Sequence, residues 1–252
     1  IFNSKREEES TQQLNGEYLS NIYLASVKDG EFDDAKLINF NINTKEENEE
    51  IVGLNSEGNI AIIYKEHYQK GAALFQSSVT EQRVEIPMKL PKSVNSKHTE
   101  IAASISSDGN KLYFASDRPG GYGGVDIYMC QKLPKGKWSQ AQNLGPTINT
   151  EFDEDFPNIS PNGKVLYFSS KGHTSMGGYD IFKAEYNPGK RKFGAVRNIG
   201  YPINTPEDNM NFRVSKTGRF GYISALRKGG HGDLDIYRVT FREVEPEYTV
   251  IT

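Results

Sequence analysis

The sequence predicts an all-β fold: a β-propeller of four-stranded antiparallel blades, five in number, with six blades as the alternative. Three observations lead to this prediction. Four short motifs recur in one fixed order, their period is 52 to 55 residues, and the segments carrying them alternate apolar and polar residues as strands do. The composition agrees, because 14 Tyr and 13 Phe suit half-buried pleated surfaces.

The first two motifs are a turn and the strand that follows it. The turn has the pattern Ser-x-Asp/Asn-Gly at residues 106–109, 160–163 and 215–218, and more loosely at 55–58. Its structural repeat residues are Gly109, Gly163 and Gly218. Apolar strands ending in or near Ser occupy the next position, at residues 112–116, 166–170 and 221–224, with 60–64 and 1–4 as variants.

The third and fourth motifs complete the repeat. The third is Asp-Ile-aromatic, whose central residue falls at positions 22, 74, 127, 181 and 236 when its near matches are included. The fourth is Ile-Asn-Thr or a relative, at residues 42–44, 94–96, 148–150 and 203–205. Four motifs that keep one period of about 50 residues, with four short strands per unit, are typical of propeller blades.

The repeat boundaries divide the chain into a propeller at 1–244 and a short tail. We expect blades at approximately 1–45, 46–97, 98–150, 151–205 and 206–244. The first repeat lacks its turn and innermost strand, which we expect to lie upstream of residue 1. Residues 245–252 are expected to be a linker to a following domain or the last strand.

Composition argues against several classes of protein. A formal net charge of −3 gives no basic footprint for nucleic acid. A single cysteine, Cys130, rules out an intramolecular disulfide and a CxxC zinc site. No apolar run approaches the roughly 20 residues of a membrane helix. We expect no cofactor and no metal ion, and no direct insertion into a membrane.

The strand order within a blade predicts which loops share a face. With strands a to d numbered outward from the axis, the b–c hairpins and the d-to-a crossovers lie together, on what we call the hairpin face. The crossovers carry acidic clusters, of which we select Asp153, Glu154, Asp155, Glu207 and Asp208 as candidate partner contacts. Clustered acids would attract a basic segment or a calcium ion. The alternative is that they pair with neighbouring basic residues or are simply solvated.

The hairpin tips supply the other candidate contacts, Tyr122, His173, Met176 and His231, because aromatic and Met side chains favour interface cores. Asp126, Asp180 and Asp235 recur once per blade. This periodicity favours a structural role, in which each carboxylate accepts backbone N–H groups of its hairpin. The glycines of these hairpins are expected to supply positive φ. A phosphate-binding loop is rejected, because a strand and not a helix follows.

These motifs resemble the TolB-like, WD-type propeller repeats of bacterial envelope proteins. Residues 117–128 and 144–150 are most similar to the propeller of PorE-type OmpA-family lipoproteins. The second blade departs from the pattern, since residues 67–71 replace the Gly-rich hairpin and no Asp precedes Leu74. The resemblance implies a non-catalytic scaffold in the periplasm, associated with the outer membrane and possessing further domains. Its expected partners are envelope or type IX secretion proteins, with peptidoglycan bound only through another domain.

Three other functions remain open from the sequence. A five-bladed glycosidase would need unique carboxylates, and only Asp153, Asp155 and Glu207 can be nominated. A propeller that gates a peptidase domain of a longer chain is compatible with the tail at Pro246. A carbohydrate-binding propeller would require aromatic residues at equivalent loop positions, and Tyr122 is the clearest example.

Overall fold

A computed structural model describes residues 1–5, 10–13, 16–28, 31–38, 42–80, 83–230 and 234–241. Within these residues every regular element is a β-strand, and no helix is present that is long and apolar enough to cross a membrane. Five sheets of three or four antiparallel strands follow one another along the chain, and a sixth, two-stranded sheet is inserted in the first of them. The prediction of a five-bladed propeller is therefore confirmed. His231 and the tail 245–252 lie outside the described residues.

The three central blades have four strands each, ordered outward from the axis. Blade 2 consists of β6 (Glu47–Leu54), β7 (Ile60–His67), β8 (Gly71–Ser78) and β9 (Met88–Lys89). Blade 3 consists of β10 (Glu100–Ile105), β11 (Lys111–Ser116), β12 (Asp126–Gln131) and β13 (Gln142–Asn143). Blade 4 consists of β14 (Glu154–Ile159), β15 (Val165–Ser170), β16 (Asp180–Asn187) and β17 (Lys192–Asn198).

The first and last blades have three strands each in the described residues. Blade 1 pairs β1 (Phe2–Ser4), β2 (Asn21–Leu24) and β5 (Lys36–Leu37). None of the described residues supplies its innermost strand, which the repeat pattern predicted to be missing from the first repeat. A small hairpin of β3 (Val27–Lys28) and β4 (Glu31–Phe32), which the sequence did not predict, extends its c–d turn. Blade 5 consists of β18 (Asn209–Val214), β19 (Phe220–Ala225) and β20 (Asp235–Thr240).

The hydrophobic core is divided into clusters that lie between neighbouring blades. Each cluster joins apolar residues of one blade to the inner strands of the next, as Ile127 of blade 3 joins Leu166 and Phe168 of blade 4. The Ile or Leu of the third motif is at most 2% exposed in blades 1 to 4. Its equivalent in blade 5, Ile236, is 55% exposed, so that face of blade 5 lies open in the described part of the chain.

The Ile-Asn-Thr motif holds adjacent blades together through its asparagine. In the crossover from blade 3 to blade 4, Asn149 Oδ1 accepts the N–H of Ile127 at 2.9 Å, and Asn149 Nδ2 donates to the Ile127 carbonyl at 3.0 Å. The side-chain amide thus bonds to strand c as a neighbouring strand would. Both groups are buried, so the bonds satisfy backbone atoms that have no water available.

The same bidentate contact occurs at all four crossovers. Its other pairs are Asn43 with Ile22, Asn95 with Leu74, and Asn204 with Ile181, at 2.8 to 3.0 Å. The third and fourth sequence motifs are therefore the two halves of one interaction. We call this contact, together with the Thr or Ser that follows the asparagine, the crossover clamp.

Removing one asparagine of the crossover clamp should destabilise the propeller. We expect Asn149→Ala to lower the free energy of unfolding by about 2 to 4 kcal/mol, because two buried backbone groups lose their partners. Asn149→Asp should be similarly harmful, since a carboxylate cannot donate to the Ile127 carbonyl. Urea unfolding measures both, with the exposed Gln140→Ala as the control. A loss below about 0.5 kcal/mol in Asn149→Ala would contradict this role.

Candidate interaction surface

The glutamates that begin the innermost strands are buried rather than displayed. Glu154 is 0% exposed, and its carboxylate accepts hydrogen bonds from Thr150 Oγ1 at 2.7 Å and Ser170 Oγ at 2.6 Å. Glu100 makes the same contacts with Ser96 and Ser116. Burial raises the pKa of Glu154. Glu154 cannot touch a partner from this position, because its carboxylate completes the crossover clamp.

Asp155 lies toward the propeller axis and is also buried, at 3% exposure. Its Oδ1 accepts the N–H of Phe156, which has a φ of 49° at a β-bulge in the innermost strand. Burial raises the pKa of Asp155 to about 7, and the positive charge of Arg213 opposes that shift. The prediction of a surface contact at Asp155 therefore does not fit its position.

Arg213 of blade 5 reaches across the axis to the other blades. Its guanidinium donates to the carbonyls of Val52 in blade 2 at 2.7 Å, Ala103 in blade 3 at 3.3 Å and Pro157 in blade 4 at 3.2 Å. Part of the residue is accessible to solvent, but protein surrounds the guanidinium, and this burial lowers its pKa to about 10. The side chain therefore remains charged at neutral pH and ties four innermost strands together.

The buried acid gives a specific pH dependence. Because the pKa of Asp155 is raised from 3.8 to about 7, the folded protein holds this proton more tightly than the unfolded chain does. Its contribution to stability is therefore complete below about pH 4 and is lost as the pH rises through about 7.

Asp155→Asn should remove this dependence while keeping the hydrogen bond to Phe156. We expect the variant to exceed the wild type in stability at pH 8, by on the order of 4 kcal/mol at most, and to approach it near pH 4. Denaturant unfolding across this range measures the difference. The exposed Asp34→Asn serves as control, and two parallel stability curves for Asp155→Asn and wild type would contradict the assignment.

The Gly-rich hairpins pack against the crossovers that follow them. A side chain at Gly123 would overlap the Phe152 carbonyl, and one at Gly177 would overlap Pro206. These glycines are needed for space and do not have positive φ, contrary to expectation, whereas Gly120 and Gly229 do, at 91° and 88°. The hairpin tips and crossovers therefore form one continuous surface.

The repeated aspartates fix the hairpins from inside. Asp126 accepts the N–H groups of Tyr122 at 2.6 Å and Gly123 at 2.9 Å, and Asp180 accepts the N–H of Met176. The Asp235 carboxylate lies against Gly230, as that of Asp126 lies against Gly121. In the turns on the opposite face, Gly109, Gly163 and Gly218 have φ of 68° to 70°.

Polar contacts connect the two hairpin–crossover units of blades 3 and 4. Asp153 Oδ1 accepts the Val125 N–H at 3.1 Å, and its Oδ2 lies 2.9 Å from Lys171 Nζ. Lys171 in turn covers the ring of Tyr179, whose N–H donates to Asp208 at 2.8 Å. Asp153 and Asp208 thus have structural roles, although Asp208 and Glu207 remain exposed.

Large apolar side chains stand out from this surface. Tyr122 is 51% exposed, Phe152 52% and Met176 47%. We define these three residues, with Asp208 and Glu207, as the hairpin-face patch. The acids around Phe152 hide it in the sequence, where its one distinguishing signal is that it is a lone aromatic residue in a polar crossover.

His173 has a different role from the one predicted. Its ring lies 5.9 Å from Phe168 and 5.2 Å from Phe182, and Nε2 is 3.0 Å from the Ile148 carbonyl. In blade 3, Arg118 occupies the same site, stacking near Phe114 and donating to the Val94 carbonyl. His173 therefore takes the place in blade 4 that Arg118 has in blade 3, next to the residue that precedes the clamp asparagine, although His173 remains exposed to solvent.

The described residues contain no group of three or more His, Cys, Asp or Glu side chains placed to hold a metal ion. Cys130 is buried between blades 2 and 3, with Sγ 3.6 Å from the Ser93 carbonyl. Burial raises its pKa to about 11, which disfavours the reactive thiolate.

No protein-family model matches the chain, and no curated protein matches it by sequence. Solved structures do match its fold. TolB from Acinetobacter baumannii superposes with a TM-score of 0.54 at 14% identity, covering 97% of this chain and 50% of its own. Hadza microbial sialidase Hz136 superposes with a TM-score of 0.50 at 9% identity, and the match covers 95% of this chain and 47% of the sialidase. A putative TolB from Agrobacterium tumefaciens superposes with a TM-score of 0.48 at 16% identity, and the match covers 82% of this chain and 62% of that protein.

This chain thus spans about half the length of the Acinetobacter protein. At these identities the similarity concerns the fold alone, which this chain shares with proteins of two different names, a TolB and a sialidase. The chain is a TolB-like β-propeller in architecture.

Proposed function

We propose that this propeller is a non-catalytic module for binding other proteins, and that the hairpin-face patch is its contact surface. The observation that carries the proposal is that exposed apolar side chains stand on hairpins whose backbones are fixed by hydrogen bonds. Tyr122 and Met176 stand on hairpins whose backbones are held by buried aspartates, Asp126 and Asp180. Aromatic and Met side chains are enriched in the cores of protein interfaces, and Tyr is among the residues that most often contribute a large share of the binding energy.

The positions of the acidic residues support a non-catalytic role. A glycosidase would need two carboxylates facing an open funnel. Of the three nominated acids, Asp155 is buried, Asp153 is paired with Lys171, and Glu207 is exposed in the next crossover. Arg213 bonds across the axis where a substrate funnel would end.

We further propose a cellular setting on the basis of the motif resemblance. The parent chain would be a periplasmic, outer-membrane-associated protein of the OmpA family, with the type IX secretion machinery as the candidate assembly. The motifs at residues 117–128 and 144–150 support this setting. The partners would then be envelope proteins, and any contact with peptidoglycan would be made by another domain.

Affinity capture with matched surface variants tests the proposal. The bait is the tagged chain in native envelope extract, compared with a triple variant, Tyr122→Ser, Phe152→Ser and Met176→Ser. We expect the variant to retain its partners at least about 30-fold less than the wild type does. This factor corresponds to about 2 kcal/mol of binding free energy, which is the loss expected from removing one hot-spot residue. Equal retention by wild type and variant, or no protein above background on either, would refute the patch as a binding site.

The control bait removes comparable apolar surface elsewhere. Leu133 is 48% exposed in the c–d turn of blade 3, and Met88 is 73% exposed on the outermost strand of blade 2. Leu133→Ser with Met88→Ser should leave capture unchanged. Thermal unfolding of all three baits shows that each is folded.

A further inference from the structure

A groove on the outer side of blade 4, facing blade 5, has features that the interaction surface does not explain. One cavity of about 280 Å³ lies between these blades, and a second of about 320 Å³ continues along β16 and β17. Lys183 and Arg197 line both cavities. The two cations therefore lie where the cavities meet.

Lys183 and Arg197 are directly opposite each other in the β16–β17 ladder. Opposite residues on neighbouring antiparallel strands project from the same face, with Cβ atoms about 5 Å apart. Like charges at such positions destabilise a sheet. In the described part of the chain neither side chain forms an ion pair, so their repulsion is not offset there.

The fold itself does not require this pair of cations. The equivalent cross-strand pairs are Met129 with Gln142 in blade 3, Gln76 with Met88 in blade 2, and Leu24 with Lys36 in blade 1. None of these pairs carries two charges of one sign. Features that all blades share are structural, whereas a feature of one blade alone calls for a separate explanation.

Apart from Asn198, the other residues that line the smaller cavity are aromatic or aliphatic. Tyr167 and Phe212 lie 5.2 Å apart between ring centroids, and Phe212 contacts Phe241 edge-on at 6.2 Å. All three rings line the cavity, beside Ile199 and Ile203. Glu185, an acid on the same face of β16, lines the neighbouring cavity and forms an ion pair with neither cation.

We propose that Lys183 and Arg197 form a binding site for a carboxylate whose apolar body packs against Tyr167 and Phe241. A guanidinium and an ammonium side by side bind a carboxylate through charge-assisted hydrogen bonds. The anion relieves the repulsion between the two cations, and the aromatic wall selects a carboxylate with a hydrophobic group. This site is separate from the hairpin-face patch and independent of the proposed function.

Two sources could supply the carboxylate. One is a separate small molecule, and the other is the chain itself, since Glu243, Glu245 and Glu247 follow Phe241 in the sequence. A variant with these three residues changed to Gln distinguishes the two sources.

Calorimetric titration of the full chain tests the site, with phenylacetate as the probe. Phenylacetamide is the uncharged analogue, and inorganic phosphate is the anion without an apolar body. We expect phenylacetate to bind with an affinity that falls about tenfold in Lys183→Gln and about tenfold in Arg197→Gln. The exposed Lys190→Gln of the same blade removes one positive charge elsewhere and should leave the affinity unchanged.

Each outcome decides the proposal. Binding to wild type supports a separate ligand, and binding only to the triple Gln variant supports a carboxylate from the chain itself. Absence of binding to both proteins overturns the site, as does equal binding of phenylacetamide or of phosphate. A melting temperature raised in Lys183→Gln without ligand shows the expected release of repulsion and that the variant is folded. A lowered one contradicts the like-charge argument.

Discussion

The bidentate bond between a crossover asparagine and strand c is the interaction on which the rest of this propeller depends. It places each crossover against the preceding blade, as Asn149 does at Ile127. The adjacent Thr150 then bonds to Glu154 and positions the innermost strand of the next blade. Through this sequence of contacts, the orientation of one blade is passed to its neighbour. The apolar clusters between blades supply most of the stabilisation from burial. The hydrogen bonds are directional, and they therefore fix the angle between one blade and the next.

The repeat was readable from sequence because the same contacts recur at each blade. Asp126 and Asn149 are recognisable as structural residues since their equivalents appear at a constant spacing. The side chains that act once were harder to predict. Arg213 has no counterpart in the other motifs, and its partners are backbone carbonyls, which carry no sequence signal. His173 resembled a surface residue because Gly172 occupies the motif position of Arg118, and His173 follows it one position later.

The acidic crossovers show why charge clusters in a sequence do not by themselves mark a binding surface. Neighbouring acids in one segment have different environments here. Asp153 is paired at the surface, Glu154 is bonded within the crossover clamp, and Asp155 faces the axis. In an extended strand, successive side chains point to opposite faces, so consecutive acids are separated by the fold. The apolar side chains of Tyr122 and Met176 on the hairpin tips, unlike Glu154 and Asp155, are exposed to solvent.

Arg213 also has a consequence for how this architecture can diversify. Propellers gain or lose members of the ring by duplication or deletion of whole repeats, which changes the width of the central opening. A single side chain that reaches carbonyls on three other repeats fits only one such width. An additional repeat would move these carbonyls apart, so that Arg213 could no longer donate to all three of them. The contacts of Arg213 therefore fit a ring of five blades and would not fit a wider one.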